Sequence, residues 1–443
     1  MGKDIESVLK TVKDENVGLV RFWFTDMLGF VKSFEITPEE LEDGFTEGMG
    51  FDASSIVGFA KIHQSDMIAM PDPKTFQVMP WATSGDTKIA RVFCDILNPD
   101  GTPYPGDPRG CLKRIVKKAA DKGYTSYFGP ELEFFYFKDA SPNRELLDEA
   151  GYFDIFPSDN GADIRVATAQ ALKASGIDVE YVHHEVAPSQ HEIDLRYDDA
   201  IEMADKAATY RVIVKEIARQ HGVYATFMPK PIYGKNGSGM HCHQSLFKGK
   251  ENAFWDEKDK HHLSKTAKSY IAGLLKYVPE ITIVLAQWVN SYKRLVPGYE
   301  APCYVAWAQR NRSALVRVPY YKPEKAKATR AELRCPDPAA NIYLAFAVML
   351  AAGLKGVEEN LACADPVEAD IFHMSESELA DRKIKSLPAT LGDAVKAAEN
   401  SQLLRETLGD HIFNALIENK KQEWDAFRLN VTEWEINRYV SWL

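Results

Sequence analysis

Residues 236–245, Asn-Gly-Ser-Gly-Met-His-Cys-His-Gln-Ser, run a glycine-rich turn into a segment where His241, His243 and Ser245 alternate with Met240, Cys242, Gln244 and Leu246. Successive strand residues point to opposite faces, so one face carries imidazoles and a hydroxyl while the other is mainly packing. Four further segments repeat the alternation. Glu131 and Glu133 share a face opposite Leu132 and Phe134, and His183-His184-Glu185 precedes a Pro188-Ser189 turn. Glu192 and Asp194 alternate with Ile193 and Leu195, and Arg330, Glu332 and Arg334 share a face. Any one of these is also an ordinary surface strand. Adjacent carboxylates repel and are costly to desolvate without cations, so all of them together argue for a charged site.

Oxygen-rich ligand sets with an occasional imidazole suit hard divalent cations, Mg²⁺ or Mn²⁺. Zinc-type cysteine spacing, His-Glu-x-x-His and the phosphate loop Gly-x-x-x-x-Gly-Lys-Ser/Thr are all absent. A basic group accompanies the acids: Arg294, then Arg312 and Arg317. Arginine's planar fork binds carboxylate and phosphate oxygens bidentately. Arginines with divalent metals are what phosphoryl transfer requires, because charge on the transferring group must be neutralised. Residues 297–302, Pro-Gly-Tyr-Glu-Ala-Pro, read as a constrained loop able to close over a site with Glu300 at its tip.

The elements that must hold these residues are legible in part. Asp4 caps a first helix with Ile5, Val8, Leu9 and Val12 at helical spacing. Leu19 to Thr25 and Phe30 to Ile36 read as a hairpin, and Thr37-Pro38-Glu39-Glu40 as a capping box opening a short helix. With a strand at Ile89 to Ile96 these form a small α+β unit over the first hundred residues. The Pro- and Gly-rich run from Asn98 to Pro108 marks the boundary, dividing the chain into 15–100 and 107–443. Helices are expected from Asp107-Pro108 to Gly123, Asp198 to Gln220, Ser264 to Val278 and Pro338 to Gly353.

Composition sets the bounds. The chain has 443 residues, 45% hydrophobic and 26% charged, enough to bury a large core. A formal net charge of -11 with no basic stretch argues against a nucleic-acid surface. Six scattered cysteines suit a reducing compartment, and Met1-Gly2-Lys3-Asp4 begins no secretion signal. The most apolar run, Ala339 to Leu354, carries Asn341 and Tyr343 and reads as a buried helix, not a membrane span. A soluble cytoplasmic enzyme is expected.

Taken together, residues 236–245, 294–302, 311–314 (Asn-Arg-Ser-Ala) and 330–334 (Arg-Ala-Glu-Leu-Arg) resemble bacterial type I glutamine synthetase. So do residues 51–55 (Phe-Asp-Ala-Ser-Ser), 129–133 (Gly-Pro-Glu-Leu-Glu) and 183–188 (His-His-Glu-Val-Ala-Pro), and the likeness runs nearly end to end. The resemblance implies an α+β fold: an N-terminal β-grasp domain and a larger glutamine synthetase/guanido kinase-like catalytic domain whose antiparallel sheet lines the active site. It implies ATP-dependent joining of ammonia to glutamate, and a dodecamer of two stacked hexamers with sites shared between neighbours. Two or three Mg²⁺ or Mn²⁺ ions are implied per site. Glu133, Glu185 and Glu192 would hold one, and Glu131, His241 and Glu332 another. Arg312, Arg317 and Arg330 would neutralise the phosphoryl group; Asn236, Gly237, Arg294 and Arg334 would hold glutamate. Glu180, His243 and Ser245 would face the nucleotide. Asp52 and Ser55 of the partner subunit, with Tyr152, Glu185 and Glu300, would form the ammonium site.

Some positions depart from the family pattern. Adenylylated members carry a tyrosine where this chain has Phe372, so the resemblance is to the feedback-inhibited, non-adenylylated α subtype. That subtype usually places an arginine where Lys61 stands, and a glycine where Ala53 stands. Lysine keeps the charge and loses the fork, which alters the expected glutamine feedback. A γ-glutamyl-amine ligase of the same superfamily and a non-catalytic ring-forming relative are the competing readings. Binding of nitrogen-responsive transcription regulators can coexist with catalysis, and Trp434 to Leu443 is one contact surface for them or for oligomer packing.

Overall fold

The structure is a computed structural model, and it describes residues 4–59, 65–85, 87–141, 144–320 and 323–443. Lys61 lies outside the described residues. The N-terminal helix Ile5–Asp14 starts where Asp4 accepts from the Ser7 N–H at 2.8 Å, and it buries Val8 and Val12. Val17–Thr25 and Val31–Ile36 pair as the expected hairpin, with Phe22 opposite Phe34. Thr87–Leu97 lies parallel to the first hairpin strand and antiparallel to Asp66–Pro71, with Met49–Asp52 at the far edge. A sheet whose parallel central strands flank a helix, here Leu41–Glu47, is the β-grasp arrangement.

The capping box at Thr37 does not form. Pro38–Glu40 is a 3₁₀ turn in which the Glu40 N–H is spent on the Thr37 carbonyl, leaving no side-chain cap. Two helix boundaries also differ from expectation. The helix begun at Ser264 runs Lys265–Leu285, straight through Pro279, because Ile281, Ile283, Val284 and Leu285 are all buried and hold the last turn. The next apolar helix is Ile342–Glu358, starting later than expected because the Asn341 side chain accepts from the Tyr343 and Leu344 N–H groups.

The second sheet runs in the order Lys385–Ser386, Tyr304–Ala308, Ala314–Arg317, Ala331–Leu333, Met240–Lys248, Thr125–Phe137, Gln190–Leu195, Val179–His184. It is antiparallel except where Tyr304–Ala308 pairs parallel with Ala314–Arg317. Helices Pro108–Asp121, Ala200–Gln220, Lys265–Leu285 and Ile342–Glu358 contribute to the core on which its apolar face rests. Ile342–Glu358 is buried almost throughout, which explains its apolarity, and no described helix is long and apolar enough to cross a membrane.

Polar contacts of two kinds fasten the small unit to the large one. The hairpin turn plugs into the large unit: Asn341 Nδ2 donates to the Asp26 and Met27 carbonyls, Gln287 to Leu28, and Arg211 to Gly29. Gly29 has φ +87°, and a Cβ there would sit 2.7 Å from the Asn341 Cα, so glycine is required. Nearby, Arg109 is 3% exposed and donates to Asp72 (2.9 Å) and Asp95 (2.7 Å) of the small unit and to Asp205 (2.9 and 3.0 Å) of the large one. Arg109→Ala strands those carboxylates and is expected to cost about 3–5 kcal/mol. A urea melt checks this, and Arg109→Lys should recover only part of the loss, since lysine cannot span three partners with a fixed fork.

Candidate active site

Register brings the charged residues together. Met240–Lys248 pairs with Thr125–Phe137 so that His241 lies opposite Glu131, and with Ala331–Leu333 so that His243 lies opposite Glu332. On the other side Glu133 lies opposite Glu192, which in turn lies opposite His183. The alternate residues Met240, Cys242, Leu132 and Phe134 are buried against the helices, as the alternation requires. The charged face floors a cavity of about 280 Å³.

Fourteen of the expected site residues line it. They are Glu131, Glu133, Tyr152, Glu185, Glu192, Asn236, Gly237, His241, Arg294, Glu300, Arg312, Arg317, Glu332 and Arg334. His243 and Arg330 stand behind, in a relay: Arg330 Nε donates to His243 Nδ1 (2.8 Å), and His243 Nε2 donates to Glu131 Oε1 (2.7 Å). Ser245 is half-buried one turn of the pleat beyond them, and Glu180 is exposed at an irregularity in its edge strand. Asp52 and Ser55 are exposed on the small unit and do not line this cavity.

Two donor sets stand in the cavity, each with ligand atoms within 4.8 Å of one another: Glu131, His241, Glu332 and His183, Glu185, Glu192. The first is the set the resemblance implies. In the second, His183 takes the place expected of Glu133: its Nε2 lies 2.9 Å from Glu185 and 3.3 Å from Glu192. Glu133 is turned aside by bonds from Gln190 Nε2 (2.7 Å) and the Gly239 N–H (3.0 Å), though it lines the same cavity.

The electrostatics fit a divalent cation. Burial and then the Glu185 charge push Glu133 up to about 8, while burial, Asp194 and Glu133 raise Glu192. Glu192 Oε1 has no hydrogen-bond partner. Carboxylates packed this way are compensated when a cation sits among them. Around the first set, burial opposes ionisation but the neighbouring basic groups win. His243 and His241 hold Glu131 well below the usual carboxylate range, and Arg334 with both imidazoles brings Glu332 to about 2. Arg317 and Arg334 each bond one Glu332 oxygen. Arg294 is buried with its fork on the carbonyls of Arg334, Cys335 and Pro336, so it braces the segment that carries Arg334 just beyond the strand Ala331–Leu333.

Behind the second set, His184 points both ring nitrogens at acceptors, the Glu185 carbonyl at 2.7 Å and Asp148 at 3.0 Å. Burial alone would lower its pKa, yet the bonds to Asp148 and the Glu185 carbonyl raise it above the ordinary imidazole value. At the cavity mouth Asn236 Nδ2 donates to Glu300 Oε2 at 3.2 Å, tying the expected loop tip (φ +59°) to the glycine turn.

The lining also includes His183, Tyr181, Val186, Gln190, Tyr299 and Ala301, to which the sequence alone assigned no role. One signal was present for Gln190: it precedes Glu192 and Asp194 at the same two-residue spacing, on the same strand face.

Comparisons with known proteins agree with this architecture. The family description "Glutamine synthetase, beta-Grasp domain" matches residues 16–99, and "Glutamine synthetase, catalytic domain" matches residues 105–439. The chain is 49% identical to a glutamine synthetase of Mycolicibacterium smegmatis across 100% of both chains. It is 47% identical to that of Thermotoga maritima, over 98% of this chain and 99% of the relative. Among solved structures it resembles a GmaS/ADP complex (TM-score 0.87, 29% identity, 98% and 99% coverage). It shares its fold with Plasmodium falciparum glutamine synthetase (TM-score 0.89, 24% identity, 99% of each chain).

Proposed function

The chain belongs to the glutamine synthetase family, and from that membership we propose that it is a glutamate–ammonia ligase, making L-glutamine from glutamate, ammonia and ATP. The observation that carries this is one cavity holding two acid-rich donor sets, Glu131/His241/Glu332 and Glu185/Glu192 with Glu133 and His183, ringed by arginines. Bound Mg²⁺ or Mn²⁺ supplies neutralisation of phosphate oxygens there. In the proposed assignment Glu133, Glu185 and Glu192 serve one ion, and Glu131, His241 and Glu332 the other.

A γ-carboxylate oxygen of glutamate attacks the terminal phosphorus of ATP, releasing ADP and leaving γ-glutamyl phosphate. Arg312, Arg317 and Arg330 offset charge on the phosphoryl group, while Glu180, His243 and Ser245 face the nucleotide. Asn236, Gly237, Arg294 and Arg334 hold glutamate. Asp52 of the partner subunit takes a proton from ammonium, assisted by Ser55 of the partner subunit and by Tyr152, Glu185 and Glu300. Neutral ammonia then attacks the acyl carbon and phosphate leaves. The Glu300 loop keeps water from the acyl phosphate. Supply of Asp52 by a second copy is supported by the pinned hairpin turn and the Arg109 cluster, which keep each small unit on its own catalytic unit.

We assign the chain to the non-adenylylated α subtype, since Phe372 offers no hydroxyl, and to a cytoplasmic dodecamer. The helix Glu433–Tyr439 and the exposed Trp434, Val440 and Trp442 fit burial in that oligomer, with transcription regulators as a further partner class. ATP- and Mg²⁺-dependent phosphate release with glutamate, comparing ammonium with putrescine, tests the function. Release with ammonium is the expected result. Activity with the amine alone would identify a γ-glutamyl-amine ligase instead.

A further inference from the structure

We propose that Gln190 is a positioning residue that couples metal binding at Glu133 to glutamate binding at the Asn236–Gly237 turn. The inference rests on the roles proposed above for Glu133 and Gly237. Gln190 is 1% exposed and opens the strand Gln190–Leu195 at the foot of the cavity. Its Oε1 accepts from the Ala187 N–H at 3.2 Å. Its Nε2 donates to Glu133 Oε2 at 2.7 Å and to the Gly237 carbonyl at 3.2 Å. Only this orientation of the amide works, because the reverse would set a carbonyl oxygen against two acceptors.

One amide therefore joins three segments. Glu133 Oε2 takes a second bond from the Gly239 N–H, which leaves Glu133 Oε1 as the oxygen nearer His241, 4.0 Å from its Nε2. The turn cannot give way on its other side: the Ser238 N–H bonds the Pro229 carbonyl, and a Cβ on Gly237 would meet that oxygen at 2.3 Å. The backbone of Gln190 also closes the loop that bears Glu185, accepting from the Glu185 N–H at 2.7 Å and donating to the Ala187 carbonyl at 3.1 Å. A shift of the turn toward bound glutamate pulls on the carboxylate that serves the ion, and an ion drawing Glu133 forward pulls on the turn. Linkage makes the effect reciprocal: each ligand tightens the other by the same factor.

Calorimetry on the full-length oligomer tests this. Glutamate is titrated with and without saturating Mn²⁺, Mn²⁺ is titrated with and without glutamate, and ADP with Mn²⁺ serves as the control. In the natural protein Mn²⁺ is expected to tighten glutamate by at least about fivefold, with the same factor in the reverse titration. In Gln190→Met, of similar length but without the amide, the factor should fall toward one while ADP binding is unchanged. Gln190→Glu retains the shape and the acceptor for Ala187 and sets a carboxylate against Glu133, so it provides the same reading should the methionine variant not assemble. Undiminished coupling in an assembled variant overturns the proposal, and so does equal weakening of ADP, which marks a merely structural role. If the underlying functional reading fails, the natural protein itself binds no glutamate.

Discussion

Asp52→Ala is expected to lower glutamine formation by about 10²–10⁴-fold, the usual range for loss of a positioned proton acceptor. Metal-induced stabilisation and ADP binding should not change. Asp52 is exposed at the end of an edge strand, held by the Ser54 N–H at 2.8 Å, and does not line the cavity of its own chain. The small unit that carries it is fixed by four side-chain bonds at the hairpin turn and by the buried Arg109 cluster. In the proposed assignment it serves another chain's cavity. Steady-state glutamine production checks the loss, and an unchanged rate would remove Asp52 from the mechanism. Co-assembly provides the sharper test. Mixed oligomers of Asp52→Ala and Glu332→Ala chains, each inactive alone, should regain activity at about a quarter of the sites if neighbouring copies share them.

Glu332→Ala should have the other large effect, about 10²–10³-fold on turnover, because in the proposed assignment it removes a ligand of the cation that would neutralise phosphoryl oxygens. Glu332 is 1% exposed and is bonded by both Arg317 and Arg334, with His241 at 3.9 Å. Its loss leaves two guanidinium groups without their shared carboxylate, so stability also falls. The natural protein should gain about 2.7 kcal/mol when Mg²⁺ is present at a hundredfold over its dissociation constant, and the variant should lose most of that gain. Differential scanning calorimetry reads both. The pH sense is fixed by the side chain's state. Its folded pKa is depressed to about 2, so its contribution is fully present above the ordinary carboxylate range and is lost only as pH falls toward 2. The deficit of the variant should therefore persist from about pH 6 to 8, and its disappearance within that window would contradict the assigned charge state.

Local patterns carried much of the fold. Asp4, Asp107 and Ser264 cap helices where expected, since a cap is a contact within three residues. Thr37 failed for an equally local reason, a 3₁₀ turn competing for the same N–H. Pro279 misled because the penalty for proline in a helix is outweighed by four buried side chains contributed by distant packing.

By itself the sequence determined the alternating face of His241, His243 and Ser245, the paired carboxylates at Glu131 and Glu133, and, through resemblance, the family. Those are properties of strand period and residue type, which depend on neighbours along the chain. Only the tertiary structure decided that Glu133 faces Glu192, that His183 enters its donor set, and that Gln190 ties Glu133 to Gly237. It alone brought Asp72, Asp95 and Asp205 around Arg109, and separated Asp52 from its own cavity. Register between strands far apart in the chain is set by packing the apolar face, and a slip of one residue would turn every charged side chain to the wrong side.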